Sequence, residues 1–413
     1  MKHYDIIIIG GGPAGIFAAG FAAQQGVSVL LLEKNRRCGA KLLLSGKGRC
    51  NVTNAEEDPR KLSEAFGRNG KTLLTALYTF GVPDTISFFE QRGLPLKTER
   101  GGRVFPERGN AGDVQKVLDH FITESGVELI TSCTVCKLQS AENKLTIVET
   151  TAGSFSASKF ILATGGLSYP ETGCTGDGYR WAKQSGHLLV TPEPALVPIH
   201  LSENWTSELC DFNLKNIEIS VRQNNQTVAR RFGEAFFTRT GIGGPIILDM
   251  SAQVRDALKQ GNVELLIDLK PAVTTELFDK RLQRELASHS NKDFRKLLKN
   301  LLPQAMIPLF IRLSGISPEK KCHSVTKAER TQLLSLFKGL VLTVSGVDGY
   351  KKAIITSGGV SLQDIDMRTM HSKKISNLYF AGEMIDLDGP TGGYNLQVCW
   401  STGYLAGTSA ATG

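Results

Sequence analysis

The sequence predicts an α/β protein, in which a Rossmann-like domain is interrupted by a β-rich module and a helical segment. The stretch from Tyr4 to Glu33 has the pattern of a strand, a glycine turn, a helix and a second strand. Short alternating apolar and polar stretches occupy residues 196 to 269, and leucines at helical spacing occupy residues 272 to 338. A length of 413 residues exceeds what one hydrophobic core usually supports, so more than one domain is expected.

The amino-terminal unit combines a glycine motif with the elements that should surround it. Tyr4 to Ile9 is an apolar, β-branched run of strand length, and it leads directly into Gly10 to Gly15, which has the pattern G-x-G-x-x-G. A helix is predicted over Ile16 to Gln25 and a second buried strand over Val27 to Leu32. Because strand, turn, helix and strand occur in this order, the motif predicts a dinucleotide-binding unit rather than an ordinary glycine turn.

Each conspicuous residue of the motif has a physical role in such a unit. Gly10 permits the tight turn, Gly12 lets the backbone approach a pyrophosphate, and Gly15 lets the helix pack closely on the strand. The free N–H groups at the start of the helix attract the phosphates. Glu33, at the end of the second strand, is placed to accept hydrogen bonds from the ribose hydroxyls of an adenosine, and its charge disfavours a 2′-phosphate.

Bulk properties exclude several classes of protein. A hydrophobic content of 41% and a charged content of 21% are typical of a globular protein, and no apolar run is long enough to span a membrane. Because the first strand begins at Tyr4, no signal peptide is expected and the predicted location is the cytoplasm. The net charge of +8 slightly favours polyanionic partners. No metal-ligand spacing is present; Cys133 and Cys136 form a C-x-x-C, but in a strand they would point to opposite faces, and the eight cysteines are expected to be free thiols.

The loop from Ser45 to Asn54 alternates small and basic residues. Such a loop can turn successive N–H groups toward an anion, and Lys47 and Arg49 would add positive charge. Thr53, followed three residues later by Glu56, has the pattern of a capping box and predicts a helix start. We therefore expect this loop to contact a phosphate or a flavin.

The remaining elements follow from local periodicity. Helices are expected over Leu73–Tyr78, Thr85–Arg92, Asp113–Ser125 and Gly178–Ser185, and strands over Val127–Ile130, Thr134–Leu138, Leu145–Thr150, Ser154–Ser158, Phe160–Ala163, Ile217–Val221, Thr227–Arg231, Val263–Leu269 and Leu378–Ala381. A hairpin-like basic turn is expected around Arg100 to Phe105, where anion steering and simple solvation are equally plausible. Seven basic residues between Lys280 and Lys299 decorate the predicted helices, and the solvated interpretation is preferred there over phosphate binding.

The sequence resembles the BaiN/YhiN-like family of bacterial FAD flavoproteins. The resemblance is carried by the glycine motif with Glu33 and by the loop Ser45 to Asn54. Further matching motifs, in family order, are Ala163–Gly166, Phe237–Pro245, Phe380–Glu383 and Gly392–Asn395. It implies a glutathione-reductase-type FAD-binding domain with an inserted β-barrel domain and a small helical lid domain. The expected boundaries are 1–190 with 346–413, 191–270 with 339–345, and 271–338, respectively.

The resemblance implies FAD as the cofactor. Glu383 would hold a ribitol hydroxyl, with Asp386 as the nearby alternative, and Val135 would contact adenine through its backbone. The loop from Leu167 to Thr175 is expected to face the flavin. A helix start near Leu396, aimed at the flavin pyrimidine, would stabilise the charge that gathers there on reduction. The expected cofactor-binding residues are Gly10, Gly12, Pro13, Ala14, Gly15, Glu33, Lys34, Lys41, Ser45, Gly46, Lys47, Gly48, Arg49, Cys50, Asn51, Thr53, Val135, Ala163, Thr164, Gly165, Gly166, Gly382, Glu383, Gly392, Gly393, Tyr394, Asn395 and Leu396.

The leading functional hypothesis is a reductase in which FAD delivers hydride to an activated C=C or C=O bond and an acid protonates the neighbouring atom. Tyr394, Tyr169 and Cys50 are the candidate proton donors. No second G-x-G-x-x-G follows a strand, so NADH or NADPH would dock only transiently as electron donor. The resemblance implies enone-like small molecules or uridine in ribosomal RNA as substrates. An FAD-dependent amine oxidase using oxygen and an RNA-binding protein with structural FAD are the alternatives, and the oligomeric state does not follow from the sequence.

Overall fold

The computed structural model describes all 413 residues and divides the chain into two compact units. Unit 1 comprises Met1–Ala195 and Tyr350–Gly413, and unit 2 comprises Leu196–Gly349. The expected division into three domains stays a prediction.

Twenty strands and twelve α-helices form the two units. The strands are β1 Lys2–Ile9, β2 Val29–Leu32, β3 Thr53–Asn54, β4 Leu96–Glu99, β5 Arg103–Pro106, β6 Glu128–Ile130, β7 Val135–Ala141, β8 Lys144–Thr150, β9 Gly153–Leu162, β10 Leu189–Ala195, β11 Ile199–Leu201, β12 Asn213–Gln223, β13 Gln226–Thr238, β14 Gly241–Gly243, β15 Glu264–Asp268, β16 Leu340–Val347, β17 Ile355–Val360, β18 Ile365–Asp366, β19 His371–Ser372 and β20 Leu378–Phe380. The helices are α1 Pro13–Ala23, α2 Pro59–Glu64, α3 Leu74–Thr79, α4 Val82–Gln91, α5 Ala111–Glu124, α6 Asp177–Gln184, α7 Pro245–Leu258, α8 Thr275–Ser288, α9 Phe294–Leu298, α10 Ile307–Ser314, α11 Lys327–Lys338 and α12 Tyr394–Thr412.

A parallel sheet forms the centre of unit 1. Its strand order is β18-β19-β20-β9-β1-β2-β6, and the pairs from β20 to β6 are parallel. The runs Ile6–Ile9 and Val29–Leu32 are buried on both faces, as a parallel sheet covered by helices requires. The predicted strand–turn–helix–strand unit is therefore confirmed, with boundaries shifted by one to three residues.

Smaller sheets complete unit 1. Strands β7, β8 and β9 pair antiparallel in succession, so the predicted strands Ser154–Ser158 and Phe160–Ala163 are parts of one long strand. Strands β3, β5 and β4 form a second antiparallel sheet, which confirms the predicted hairpin around Arg100 to Phe105. Strands β10 and β17 pair with each other.

Helices α1 and α12 pack closely against each other because glycines line their contact. A Cβ atom on Gly403 would lie 2.4 Å from the carbonyl oxygen of Ala14, and one on Gly407 would lie 2.4 Å from that of Ala18. These distances leave no room for a side chain, so the carboxy-terminal helix can pack here only with glycine at both positions. The contact fixes the last twenty residues beside the dinucleotide motif.

Unit 2 is built on a closed antiparallel barrel with strand order β11-β14-β13-β12-β15-β16. Buried residues of the barrel, such as Ile219 and Leu265, belong to the same apolar cluster as Phe278, Leu297 and Phe337 of the helices that follow. The barrel and the helical segment thus share one hydrophobic core.

Two local predictions are wrong. Thr53 does not start a helix: it lies in β3, and α2 begins later, after Asp58, whose side chain accepts from the N–H group of Arg60. The region 196 to 269 is not purely β, because it contains α7, which starts at Pro245 directly after the positive-φ residue Gly244.

None of the helices combines the length and the apolar character needed to cross a membrane.

Candidate cofactor-binding cleft

A cleft opens in unit 1 at the carboxyl ends of the parallel strands. Ile9, Leu32, Ala163 and Ala381, which end or directly follow β1, β2, β9 and β20, all line it. Open α/β sheets bind ligands at this edge, because the strand ends and the helix starts converge there. The cleft is therefore where the glycine motif and the Phe380–Glu383 motif meet.

The start of α1 has the features of an anion-binding site. Gly12 precedes the helix, no side chain caps its first N–H groups, and no acidic residue lies in its first turn. A Cβ atom on Gly12 would meet nothing within 4 Å, so the space before the helix is open. In contrast, Gly10 (φ 109°) and Gly15 are needed for packing, since added Cβ atoms would lie 2.5 Å from the Ala163 oxygen and 1.9 Å from the Gly10 oxygen. Free amides, a helix dipole and open space together suit a pyrophosphate.

Glu33 is buried at the wall of the cleft and is held in place by backbone donors. Its Oε2 accepts from the N–H group of Gly11 at 2.8 Å, and its Oε1 accepts from that of Asn35 at 2.7 Å. Each oxygen retains a further lone pair. A fixed carboxylate with remaining acceptor capacity suits the two hydroxyls of a ribose.

A largely buried ion pair closes another part of the wall. Lys41 Nζ lies 2.8 and 2.7 Å from the two carboxylate oxygens of Glu383 and donates to Ser168 Oγ at 2.6 Å. Glu383 Oε1 also accepts from Ser168 Oγ and from the N–H group of Thr356, each at 2.9 Å. Burial lowers the pKa of Lys41, but the charge and the hydrogen bond of Glu383, together with the nearby thiols of Cys174 and Cys399, outweigh this effect, so that the pKa lies above its ordinary value.

The segment from Thr172 to Asp177, called the strap below, lies along the cleft and is tied to the end of β2. Lys34 Nζ donates to Thr175 Oγ1 at 2.6 Å and to Asp177 Oδ2 at 2.9 Å, and Asn35 Nδ2 donates to the Thr172 oxygen at 3.0 Å. The left-handed residues Gly173 and Gly176 (φ 96° and 76°) let it turn at both places. The strap brings Thr172, Gly173, Cys174 and Asp177 to the cleft wall.

The Ser45 to Asn54 loop does not line this cleft. The N–H groups of Arg49 and Cys50 donate to the carbonyl oxygens of Gly46 and Ser45, so these two amides are not free to form an anion nest. The guanidinium of Arg49 pairs with Glu99 at 2.6 Å. The charge of Arg49 is therefore balanced by a carboxylate of β4 instead of being left for a phosphate.

The end of that loop instead meets the carboxy-terminal motif. Asn54 Nδ2 donates to the Gly392 oxygen at 3.1 Å, and a Cβ atom on Gly393 would lie 2.3 Å from the carbonyl of Thr53. Thr53 Oγ1 donates to Oε1 of the fully buried Gln397 at 2.6 Å. The two motifs that are most specific for the family resemblance are thus in direct contact, and α12 begins at this contact without a side-chain cap.

The three candidate proton donors lie in different settings. Cys50 is fully buried, and burial raises the pKa of its thiol to about 12. Tyr169, with φ 52°, and Tyr394, the first residue of α12, are both partly exposed. The ring of Tyr394 packs edge-on against Phe66, with a centroid separation of 6.1 Å.

The structure brings about half of the expected cofactor-binding residues to the cleft wall. These are Gly10, Gly12, Pro13, Ala14, Glu33, Lys34, Lys41, Val135, Ala163, Thr164, Gly165, Gly382 and Glu383. The others remain predictions as flavin contacts and lie off this wall: Gly15, Ser45, Gly46, Lys47, Gly48, Arg49, Cys50, Asn51, Thr53, Gly166, Gly392, Gly393, Tyr394, Asn395 and Leu396.

Several wall residues had not been singled out from the sequence. They include Gly11, Asn35, Gly39, Asp177, Trp181 and Cys399. For Asp177 a signal exists, because Gly173, Gly176 and Gly178 surround it and such spacing is typical of a loop that passes close to a ligand. For Trp181 and Cys399 no local signal exists, since both lie inside helices.

The fold and the cleft define a dinucleotide-binding protein of the Rossmann class. An uncapped helix start for the pyrophosphate, a fixed carboxylate for the ribose and small residues at Ala163 to Gly165 fit FAD.

The particular family follows from comparison with known proteins. The chain belongs to the family described as HI0933-like protein Rossmann domain, whose model matches residues 4–409. This confirms the resemblance to BaiN/YhiN-like flavoproteins, and the protein is thus an FAD-dependent oxidoreductase.

Two relatives match over nearly their whole length. The chain is 30% identical over 407 residues to a 3-dehydro-bile acid delta(4,6)-reductase of Clostridium scindens, with 98% of each chain covered. It is also 30% identical over 411 residues to a ribosomal RNA dihydrouridine synthase of Haemophilus influenzae, with 99% of this chain and 98% of the relative covered. Among solved structures, the fold is similar to a 3-ketosteroid-delta4-(5alpha)-dehydrogenase from Rhodococcus jostii RHA1, with a TM-score of 0.54, 16% identity and coverage of 100% and 97%.

Proposed function

We propose that this protein saturates a C=C bond that is conjugated to a carbonyl group, with electrons supplied by NADH or NADPH. The observation that carries the proposal is the full-length similarity to two relatives whose names describe different substrates but one chemistry, the addition of two hydrogens to such a bond. FAD, when bound, supplies the hydride.

The residues of the cleft support binding and orientation of this cofactor. The start of α1 would hold the pyrophosphate and Glu33 the adenosine ribose. Lys41 and Glu383 neutralise each other inside the wall, so they add hydrogen-bonding groups without adding net charge.

For the proton, we propose Tyr169 or Tyr394 rather than Cys50. The buried thiol of Cys50, with its pKa raised to about 12, is enclosed by protein and does not reach solvent. The two tyrosines are partly exposed and stay within the unit that contains the cleft. A phenol placed beside the substrate can donate a proton as the hydride arrives.

A transient electron donor agrees with the single dinucleotide motif of the chain. The reduced nicotinamide would dock, deliver its hydride and leave before the substrate enters. We propose a cytoplasmic location for this cycle, since both nicotinamides are cytoplasmic reductants.

The decisive experiment is anaerobic flavin reduction. Purified protein is mixed under nitrogen with NADH, NADPH or small amines while the visible flavin absorption is followed. Bleaching by a nicotinamide, followed by reoxidation with either a conjugated enone or a uridine-containing RNA, is the expected result. Bleaching by amines alone would support an oxidase instead, and the absence of bleaching by both nicotinamides would exclude the proposed donor.

A further inference from the structure

The positive charge of this protein is concentrated in one segment. Between residues 271 and 338 the chain has 13 lysines and arginines but only 6 acidic residues, so this stretch carries 7 of the 8 net positive charges. The other 345 residues are nearly neutral. If the net charge served only solubility, we would expect it to be spread over the whole chain and not concentrated in one-sixth of it.

Helices α8 and α9 present much of this charge to solvent. Phe278, Leu282 and Leu286 bury one face of α8, and Lys280 and Arg284, one turn apart, are exposed on the opposite face. In α9 the residues Phe294, Leu297 and Leu298 are buried, while Arg295, Lys296 and Lys299 are exposed. The two helices are neighbours in the chain and lie close at one end, since Asn300 Nδ2 lies 3.2 Å from His289 Nε2.

Three of the six acidic residues of the segment form ion pairs with lysine or arginine. Asp279 pairs with Arg330, Asp293 with Lys321 and Lys296, and Glu329 with Lys320. After these pairs, six basic residues of α8, α9 and their connection have no ion-pair partner. They form what we call the basic face: Lys280, Arg281, Arg284, Lys292, Arg295 and Lys299.

The uncompensated charge has an effect inside the unit as well. Burial lowers the pKa of Lys270 first, and the positive charge of the nearby Arg281 lowers it further.

We propose that the basic face is a docking surface for RNA. This rests on the proposed reductase function, because it assigns a uridine-containing RNA as the substrate that is held there. An acidic protein partner is less suitable, since the face offers Leu277 as its one exposed large apolar side chain and no aromatic anchor. A group of unpaired cations without an apolar centre suits a phosphate backbone.

The test compares two charge-matched variants of the full holoprotein. The basic-face variant carries Lys280→Glu, Arg284→Glu and Lys299→Glu, and the control variant carries Lys61→Glu, Lys144→Glu and Lys183→Glu. The control lysines are exposed, lie in unit 1 and have no ion-pair partner. Fluorescence anisotropy measures the affinity for a labelled polyuridine RNA of about 20 nucleotides at several salt concentrations.

The basic-face variant should bind this RNA at least about tenfold more weakly. The slope of log affinity against log salt concentration should become smaller in magnitude by roughly 2, because each of the three lost contacts to a single-strand phosphate lowers it by about 0.7. The control variant should stay within about twofold of the wild type. Equal affinity in all three proteins, or an equal loss in both variants, would overturn the proposal. Circular dichroism confirms that both variants are folded.

Flavin measurements on the same proteins separate this proposal from the reductase itself. Flavin content and anaerobic reoxidation by a small enone should be unchanged in both variants, because the substituted residues lie outside the cleft. If no acceptor reoxidises the flavin while RNA affinity falls only in the basic-face variant, the reductase proposal fails and the docking surface stands.

Discussion

At the scale of single residues, the cleft depends on polar side chains that are satisfied by other groups of the same unit. Glu33 accepts two backbone N–H groups, and Glu383 accepts from Lys41, Ser168 and Thr356. A carboxylate that is held in this way keeps its position whether or not a ligand is present, which lowers the cost of ordering the site on binding.

The ion pair between Lys41 and Glu383 predicts a loss of stability at alkaline pH. Because the pKa of Lys41 is raised in the folded protein, its contribution is complete below the unfolded lysine value of about 10.4 and is lost as the pH rises through the folded value. Urea unfolding should therefore show a larger decrease between about pH 9 and pH 12 for the wild type than for Lys41→Met.

The same substitution in the exposed, unpaired Lys71 serves as the control and should leave the pH dependence of the wild type unchanged. At neutral pH, Lys41→Met should lower the free energy of unfolding by about 3 kcal/mol, because Glu383 loses the partner of its buried charge. Parallel pH curves for the wild type and Lys41→Met would show that the pair does not contribute.

The proton donor can be identified by removing one hydroxyl at a time. Tyr169→Phe or Tyr394→Phe should slow reoxidation of the reduced flavin by an enone roughly 100-fold, the size of a general-acid contribution. Anaerobic reduction by the nicotinamide should keep its rate, since that step needs no such proton. Tyr78→Phe, at a 59% exposed tyrosine, is the matched control. If both tyrosine variants keep the wild-type rate, the proton comes from another group or from water.

At the scale of elements, the strap forms one part of the cleft wall. Its two ends are anchored to the residues that follow β2, through Asp177 and Thr175 to Lys34 and through Thr172 to Asn35. Its middle residues line the cleft. We therefore expect that the strap slows the release of a bound cofactor as long as these anchoring contacts are intact.

Asp177→Asn should consequently increase the rate of FAD release by about three- to tenfold, the effect expected when one charge-assisted hydrogen bond of about 1 kcal/mol is weakened. Release is measured by the increase in flavin fluorescence after dilution. Glu171→Gln removes one exposed charge beside the strap and should release FAD at the wild-type rate. An unchanged rate in Asp177→Asn would show that the strap does not retain the cofactor.

At the scale of the whole molecule, the chain has two hydrophobic cores. One contains the parallel sheet with α1 and α12, and the other contains the barrel with the helices of residues 275 to 338. The dinucleotide cleft is lined by residues of the first unit alone. Binding of FAD should therefore stabilise that unit selectively.

Calorimetry should resolve two unfolding transitions, of which only one depends on FAD. Free FAD at about 100 times its dissociation constant should stabilise the FAD-dependent transition by about 2.7 kcal/mol and raise its midpoint. The basic-face variant offers the complementary control, because its substitutions lie in the second unit and should leave the FAD-induced shift unchanged. A single transition that shifts as a whole would show that the two units unfold together.

The sequence alone determined the nucleotide-binding unit and the class of cofactor. Tyr4 to Glu33 could be interpreted because its signals are local: a buried strand, a tight glycine turn and a helix each depend on residues close in the chain. The same applies to the helices between residues 275 and 338, which the apolar spacing predicted and the structure confirms.

Only the tertiary structure decided which polar groups meet. Lys41 and Glu383 are 342 positions apart, and Thr53 and Gln397 are 344 apart, so no spacing in the sequence reveals either contact. The capping-box prediction failed for the same reason, because the hydroxyl of Thr53 donates to Gln397 instead of capping a local helix. Local patterns specify elements, whereas the partners of buried polar groups are chosen by the packing of elements that are distant in the chain.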